Sequence, residues 1–141
     1  MAAVQSDVKA LQGTIDGTVS VAGEAAYDMA VSIWNGVVQR RPAVVVSCAS
    51  SGDVAAALAF AQAQRLEVSV RGGGHNYAGH ALCEGGLMID LTPMKTVVVD
   101  ATARRVVCGG GTTWGELDAA TQEHGLALPA FHSRVEEEGR T

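Results

Sequence analysis

The chain has 141 residues, 48% of them hydrophobic and 18% charged, with a formal net charge of −5. That length and apolar content suit one domain with a real core and exclude a chain that is disordered throughout. No basic stripe supports a nucleic-acid partner, and no apolar run approaches a bilayer span, so neither nucleic acid nor a membrane is an expected partner.

Residues 1–18 show no clear period and read as a lead-in segment. Asp7 and Lys9 interrupt the apolar run that a signal peptide needs, so the expected location is cytoplasmic. Residues 26–35 (AYDMAVSIWN) read as a short helix, with Tyr27, Ala30, Val31 and Trp34 at helical spacing. Gly36 and Arg40-Arg41-Pro42 end it. Residues 43–48 (AVVVSC) have the β-branched, apolar character of a buried strand. Ser50 or Ser51 can cap the next helix, which carries Asp53 in its first turn and Val54, Leu58 and Ala61 as its expected buried stripe. Residues 67–71 (EVSVR) form the next strand, and the strand–helix–strand order favours a parallel crossover.

A glycine-dense loop follows, 72–86 (GGGHNYAGHALCEGG), and then a strand at 87–91 (LMIDL) in which Asp90 can cap the turn at Thr92-Pro93. Residues 96–100 and 104–108 read as a hairpin turning at Ala101-Thr102-Ala103. After Gly109-Gly110-Gly111, Thr113 and Glu116 have capping-box spacing. That helix is expected to run to about His124, with Gly125 just past its end. Trp114 reads as a core or helix-docking side chain, and the last eleven residues, 131–141, as an acidic, solvated tail. The three cysteines, Cys48, Cys83 and Cys108, form no CxxC, so they read as small buried thiols rather than a disulfide framework. The expected fold is α+β (α/β-like), a small mixed sheet with two or three covering helices.

The chemistry concentrates in Arg71, Gly72, Gly73, Gly74, His75, Asn76, Tyr77, Ala78, Gly79 and His80, directly after a strand. Successive glycines admit positive φ and let an anion approach the backbone amides as a nest. A pyrophosphate suits such a nest, with Arg71 orienting the loop or offsetting charge. Two nucleotide fingerprints fail. A GxGxxG begun at Gly72 meets Tyr77 in place of glycine, and the GxxxxG of Gly110 to Gly115 is followed by Glu116 where a P-loop requires Lys. His75, His80 and Cys83 also form a set that zinc accepts, so a zinc-binding module is an alternative reading.

Taken in order, WN…RRP…RGGGH…GH…GG…IDL…GGGTTWGEL resembles the FAD-binding domain of the p-cresol methylhydroxylase (PCMH) and vanillyl-alcohol oxidase superfamily. The bacterial berberine-bridge-enzyme-like FAD-linked oxidases are the group it is most similar to. The resemblance implies that 19–130 is the first part of a PCMH-type FAD-binding domain, flanked by the 1–18 lead-in and the divergent 131–141 tail. It further implies that Arg71 to His75 hold the FAD pyrophosphate, that Asn76 to His80 continue beside the cofactor, and that Gly109 to Thr112 form a second glycine turn near or beneath it. His75 matches the histidine that many members join covalently to the flavin 8α carbon, chemistry that a neutral imidazole can perform.

The implied function is an FAD-binding part of an oxidoreductase (oxidase) that passes hydride from a small organic alcohol, sugar or amine to flavin. In the family, the substrate base belongs to a later domain, so no catalytic residue is assigned here and the small-molecule substrate belongs to the complete enzyme. Alternatives are a non-catalytic interaction module or one subunit of a split enzyme, working as a homodimer or with a complementing chain.

Overall fold

Short β-branched runs and one Ala-rich helix set the architecture. A computed structural model describes residues 2–129. In chain order its elements are α1 (Ala2–Gln12), β1 (Thr18–Ser20), α2 (Ala25–Val31), β2 (Val44–Ser47), α3 (Ser51–Gln64), β3 (Val68–Arg71), β4 (Leu87–Asp90), β5 (Val97–Asp100), β6 (Arg105–Cys108) and α4 (Trp114–Gln122). A four-stranded mixed sheet has the order β1-β2-β4-β3, and β5 and β6 form a separate antiparallel hairpin. The mixed α/β class is as expected, with four helices rather than two or three among the described residues.

β4 lies between β2 and β3 and is parallel to both. β2 and β3 are therefore parallel but not neighbours, so the strand–helix–strand unit encloses a third strand instead of forming an adjacent pair. All four β4 residues are buried, as a central strand covered on both faces requires. Val44, Val46, Leu87 and Ile89 point into one apolar cluster with Leu11, Ala57 and Ala61. Val45 and Met88 point into a second, with Tyr27, Ala30, Ala81 and Leu82. Each fully buried aliphatic side chain contributes about 1.5–3 kcal/mol relative to exposure.

Several elements differ from the sequence reading, for physical reasons. Residues 2–12 form a helix, because Leu11 finds a buried place against α3 and the sheet. β1 is a three-residue strand, too short to carry a period. α2 stops at Val31, so Trp34 lies beyond the helix and is 40% exposed. The buried stripe of α3 is Asp53, Ala57 and Ala61, and Leu58 is exposed instead. Small alanines bring that helix close to the sheet, and a carboxylate begins the stripe. Cys48 and Cys83 are buried as expected, whereas Cys108 is exposed at the end of the hairpin and Trp114 is 42% exposed. The capping box of α4 is present: Thr113 accepts from the Glu116 amide, and Glu116 accepts from the Thr113 amide. The amides of Gly125 and Leu126 return to the carbonyls of Gln122 and Thr121, closing the helix where Gly125 was expected. The acidic segment 131–141 lies outside the described residues.

Asp53 ties the first third of the chain to the sheet. Its carboxylate accepts from the amides of Asp16 at 3.0 Å, Gly17 at 2.9 Å and Ala49 at 2.8 Å, while the Ser50 side chain caps the helix through the Asp53 amide. Burial pushes this carboxyl up, but the three amides and Ser50 together pull it below its ordinary value. A depressed folded value means that the stabilisation is complete above the ordinary carboxylate range, about pH 4, and is lost as pH falls through the folded value. Asp53→Asn replaces one acceptor oxygen with a donor that faces amide donors. It is expected to lower the unfolding free energy near neutral pH by about 2 kcal/mol. Its stability should also vary less with pH below about 4, both effects being measurable by urea titration across that range.

Candidate functional site

The glycine loop leaves β3 at the carboxyl ends of the parallel strands, where open α/β sheets bind ligands. Two glycines in it are demanded by geometry. A Cβ on Gly72 would lie 2.7 Å from the Gly110 carbonyl oxygen, so the second glycine turn packs directly under the first. Gly74 has φ +76°, and its absent Cβ would lie 3.3 Å from Nε of Arg71. A cleft of about 270 Å³ opens on the loop, lined by Gly72 to Asn76 and His80, with Val70 and Ala81 as its apolar wall.

Within the described residues, no acceptor takes the backbone N–H groups of Gly72 to Ala78. The carbonyls on the same stretch are occupied from the other side. Gly74 O accepts from the Trp34 amide at 3.4 Å, Tyr77 O from Asn35 Nδ2 at 2.8 Å, and Gly79 O from an Arg40 guanidinium nitrogen at 3.2 Å. Free donors, no carboxylate among the described lining residues and room for a compact dianion make this a fitting cradle for a diphosphate.

The ten predicted residues divide into groups. Gly72, Gly73, Gly74, His75, Asn76 and His80 share the cleft. Arg71 turns away from it: its guanidinium donates to the carbonyls of Ala30 and Ser32 at the end of α2, which is why that helix stops there. Its Nε is buried beneath Gly74 without a partner among the described residues. Arg71 thus orients the loop rather than lining the cleft. Tyr77 meets Trp34 edge-on with ring centroids 5.1 Å apart, and Gly79 packs against Val38, so the stretch Tyr77, Ala78 and Gly79 lies outside the cleft lining. The zinc set does not assemble: Cys83 is buried with Sγ 3.4 Å from Ser69 Oγ, and no group of three or more metal-binding side chains forms among the described residues.

Missing from the sequence reading were the partners in the segment between α2 and β2, namely Asn35, Val38 and Arg40. The signal for Asn35 and Arg40 is the WN and RRP motifs, of which WN reads as part of the helix, RRP as its break, and both as part of a resemblance; Val38 carries no signal.

Unpaired amides at the carboxyl ends of parallel strands suit the phosphates of a nucleotide cofactor. The sequence matches the FAD binding domain family over residues 42–137. The chain belongs to this PCMH-type family, whose cofactor is FAD. (R)-6-hydroxynicotine oxidase of Paenarthrobacter nicotinovorans is 36% identical over 123 residues, which cover 86% of this chain and 27% of that protein. The crystal structure of 6-hydroxy-D-nicotine oxidase from Arthrobacter nicotinovorans matches with a TM-score of 0.76 at 36% identity, over 79% of this chain and 24% of that one. Glucooligosaccharide oxidase from Acremonium strictum, which carries a 6-S-cysteinyl, 8α-N1-histidyl FAD, matches with a TM-score of 0.77 at 26% identity, over 84% of this chain and 25% of that one. The chain therefore spans about a quarter of the length of the relatives it matches. No helix of the described residues is long and apolar enough to cross a membrane.

Gly72→Ala is expected to push the Gly110 turn away and to weaken FAD binding about tenfold or more, the loss of one or two hydrogen bonds to a charged group. Flavin fluorescence titration of the purified chain checks it.

Proposed function

We propose that this chain is the cofactor-holding part of an FAD-linked oxidoreductase that oxidises a small organic alcohol, sugar or amine. The observation that carries the reading is that Gly72 to Asn76, whose amides have no acceptor among the described residues, line a cleft to which no described carboxylate contributes. Bound FAD would supply the hydride acceptor, which no side chain can replace. The work of the chain's own residues is binding and orientation. Gly72 to Gly74 offer amides to the diphosphate, the Gly109–Gly111 turn backs them, and Arg71 fixes the point where β3 becomes loop.

His75 lies in the same cleft, and its likeness to the flavin-linked histidine of the family supports a covalent 8α link. The bond would replace one methyl C–H and the imidazole N–H with a C–N bond. Two protons and two electrons leave, with dioxygen as the final acceptor. The 8α-N1-histidyl FAD of the glucooligosaccharide oxidase is consistent with this chemistry in the fold.

A second reading, work alongside a complementing chain or a second copy, is favoured by the hairpin. Val98 and Val107 are opposed in register and are 59% and 71% exposed, leaving an apolar face on β5 and β6. Light scattering that finds only monomers over the micromolar range would remove the second-copy version.

Covalent attachment predicts visible flavin absorption that stays with the acid-precipitated protein. His75→Ala is expected to release all flavin colour to the supernatant while the far-UV circular dichroism is unchanged. Flavin that stays with the precipitated variant would move the attachment to another residue.

A further inference from the structure

The segment between α2 and β2 runs along the glycine loop like a strap and takes its carbonyls in sequence. The Trp34 amide holds Gly74 O, Asn35 Nδ2 holds Tyr77 O, and one guanidinium nitrogen of Arg40 reaches both Gly79 O at 3.2 Å and Leu82 O at 3.4 Å. Val38 fills the space left by the missing side chain of Gly79. A trans peptide unit is planar, with its C=O and the following N–H pointing in opposite directions. Fixing the carbonyls of Gly74, Tyr77 and Gly79 toward the strap therefore turns the amides of His75, Ala78 and His80 away from it. Asn76 Oδ1 takes the His80 amide at 3.1 Å, while the His75 amide has no acceptor among the described residues and His75 lines the cleft.

We propose that Asn35 and Arg40 are positioning residues for FAD, anchoring Tyr77, Gly79 and Leu82 from the far side of the loop so that Gly72 to His75 are presented to the diphosphate with less left to order. The proposal rests on the diphosphate lying over Gly72 to His75. Arg40 touches carbonyls rather than anion, so its charge acts through the loop. Preorganisation of this kind lowers the ordering cost of binding without adding a ligand contact.

The test uses the 141-residue chain and three variants, Asn35→Ala, Arg40→Ala and Arg40→Lys, with Gly72→Ala beside them. Two readouts are needed: hydrogen exchange of the amides of Gly79, His80 and Leu82 in FAD-free protein, and the FAD dissociation constant. Those three amides are bonded within the loop and report its order. Arg40→Ala is expected to speed their exchange and to weaken FAD binding about tenfold, with β2 and β4 exchange unchanged. Asn35→Ala should act in the same direction. Arg40→Lys should recover part of the affinity, since an ammonium can donate to the same carbonyls.

Unchanged loop exchange in Arg40→Ala would overturn the proposal, as would faster exchange with unchanged FAD affinity. Faster exchange in β2 and β4 as well would assign Arg40 to folding alone and overturn it too. If Gly72→Ala keeps full affinity, the site reading itself fails. If Gly72→Ala loses affinity and Arg40→Ala does not, only the strap's role fails.

Discussion

A strand held between two parallel neighbours imposes the constraint from which the site follows. β4 pairs in parallel with both β2 and β3, so the chain leaving β3 must return the full length of the sheet before β4 can begin. The return is made by 72–86, without a helix. A long loop within a domain needs a reason to be ordered. Here its second half is core, with Ala81, Leu82 and Cys83 buried, and Leu82 packs with Met88 and Tyr27. Its first half is free to be a binding surface because the second half is anchored. Sheet topology, core packing and cofactor binding therefore meet in one fifteen-residue segment.

The same end of the sheet shows how buried charge is managed. Asp90, at the end of β4, accepts from Ser47 Oγ at 3.1 Å and from the amide and hydroxyl of Thr92. Asp53 is satisfied by three amides. Both carboxylates are thus occupied by protein donors, and the Gly72 to Gly74 amides remain the donors still open to an incoming anion. Burial, with Asp53 and Asp90 nearby, pushes the Cys48 thiol up to about 11. At neutral pH it is a thiol, a core side chain with no nucleophilic role beside the flavin loop.

The legible parts of this chain were those in which local chemistry and tertiary structure agree. The AVVVSC and LMIDL runs carry their burial in composition. Ser50, and the pair Thr113 and Glu116, carry their caps in spacing, and three glycines after a strand carry the loop. What escaped was settled by contacts distant in sequence. Asp53 read as an ordinary first-turn acid, because the amides it binds at Asp16 and Gly17 lie 37 and 36 residues away. α2 read one turn too long, since the guanidinium that takes its last carbonyls belongs to Arg71, more than 35 residues downstream. Arg71 was placed in the site, and the structure explains its presence differently: it aims the loop from behind. Asn35 and Arg40 have no periodic signal because their partners are main-chain carbonyls, which any sequence supplies.

The volume and contacts of the cleft bound what it can hold. Among the described residues, the contacts that shape the cradle come mainly from three stretches, 30–41, 70–82 and 109–111. A cleft of about 270 Å³ falls below the roughly 300–1,000 Å³ usual for enclosed ligand pockets. It suits the charged link of a dinucleotide and not both of its ring systems. The cradle is local to one loop and its immediate neighbours. A segment built this way can hold and orient FAD through the backbone of one loop.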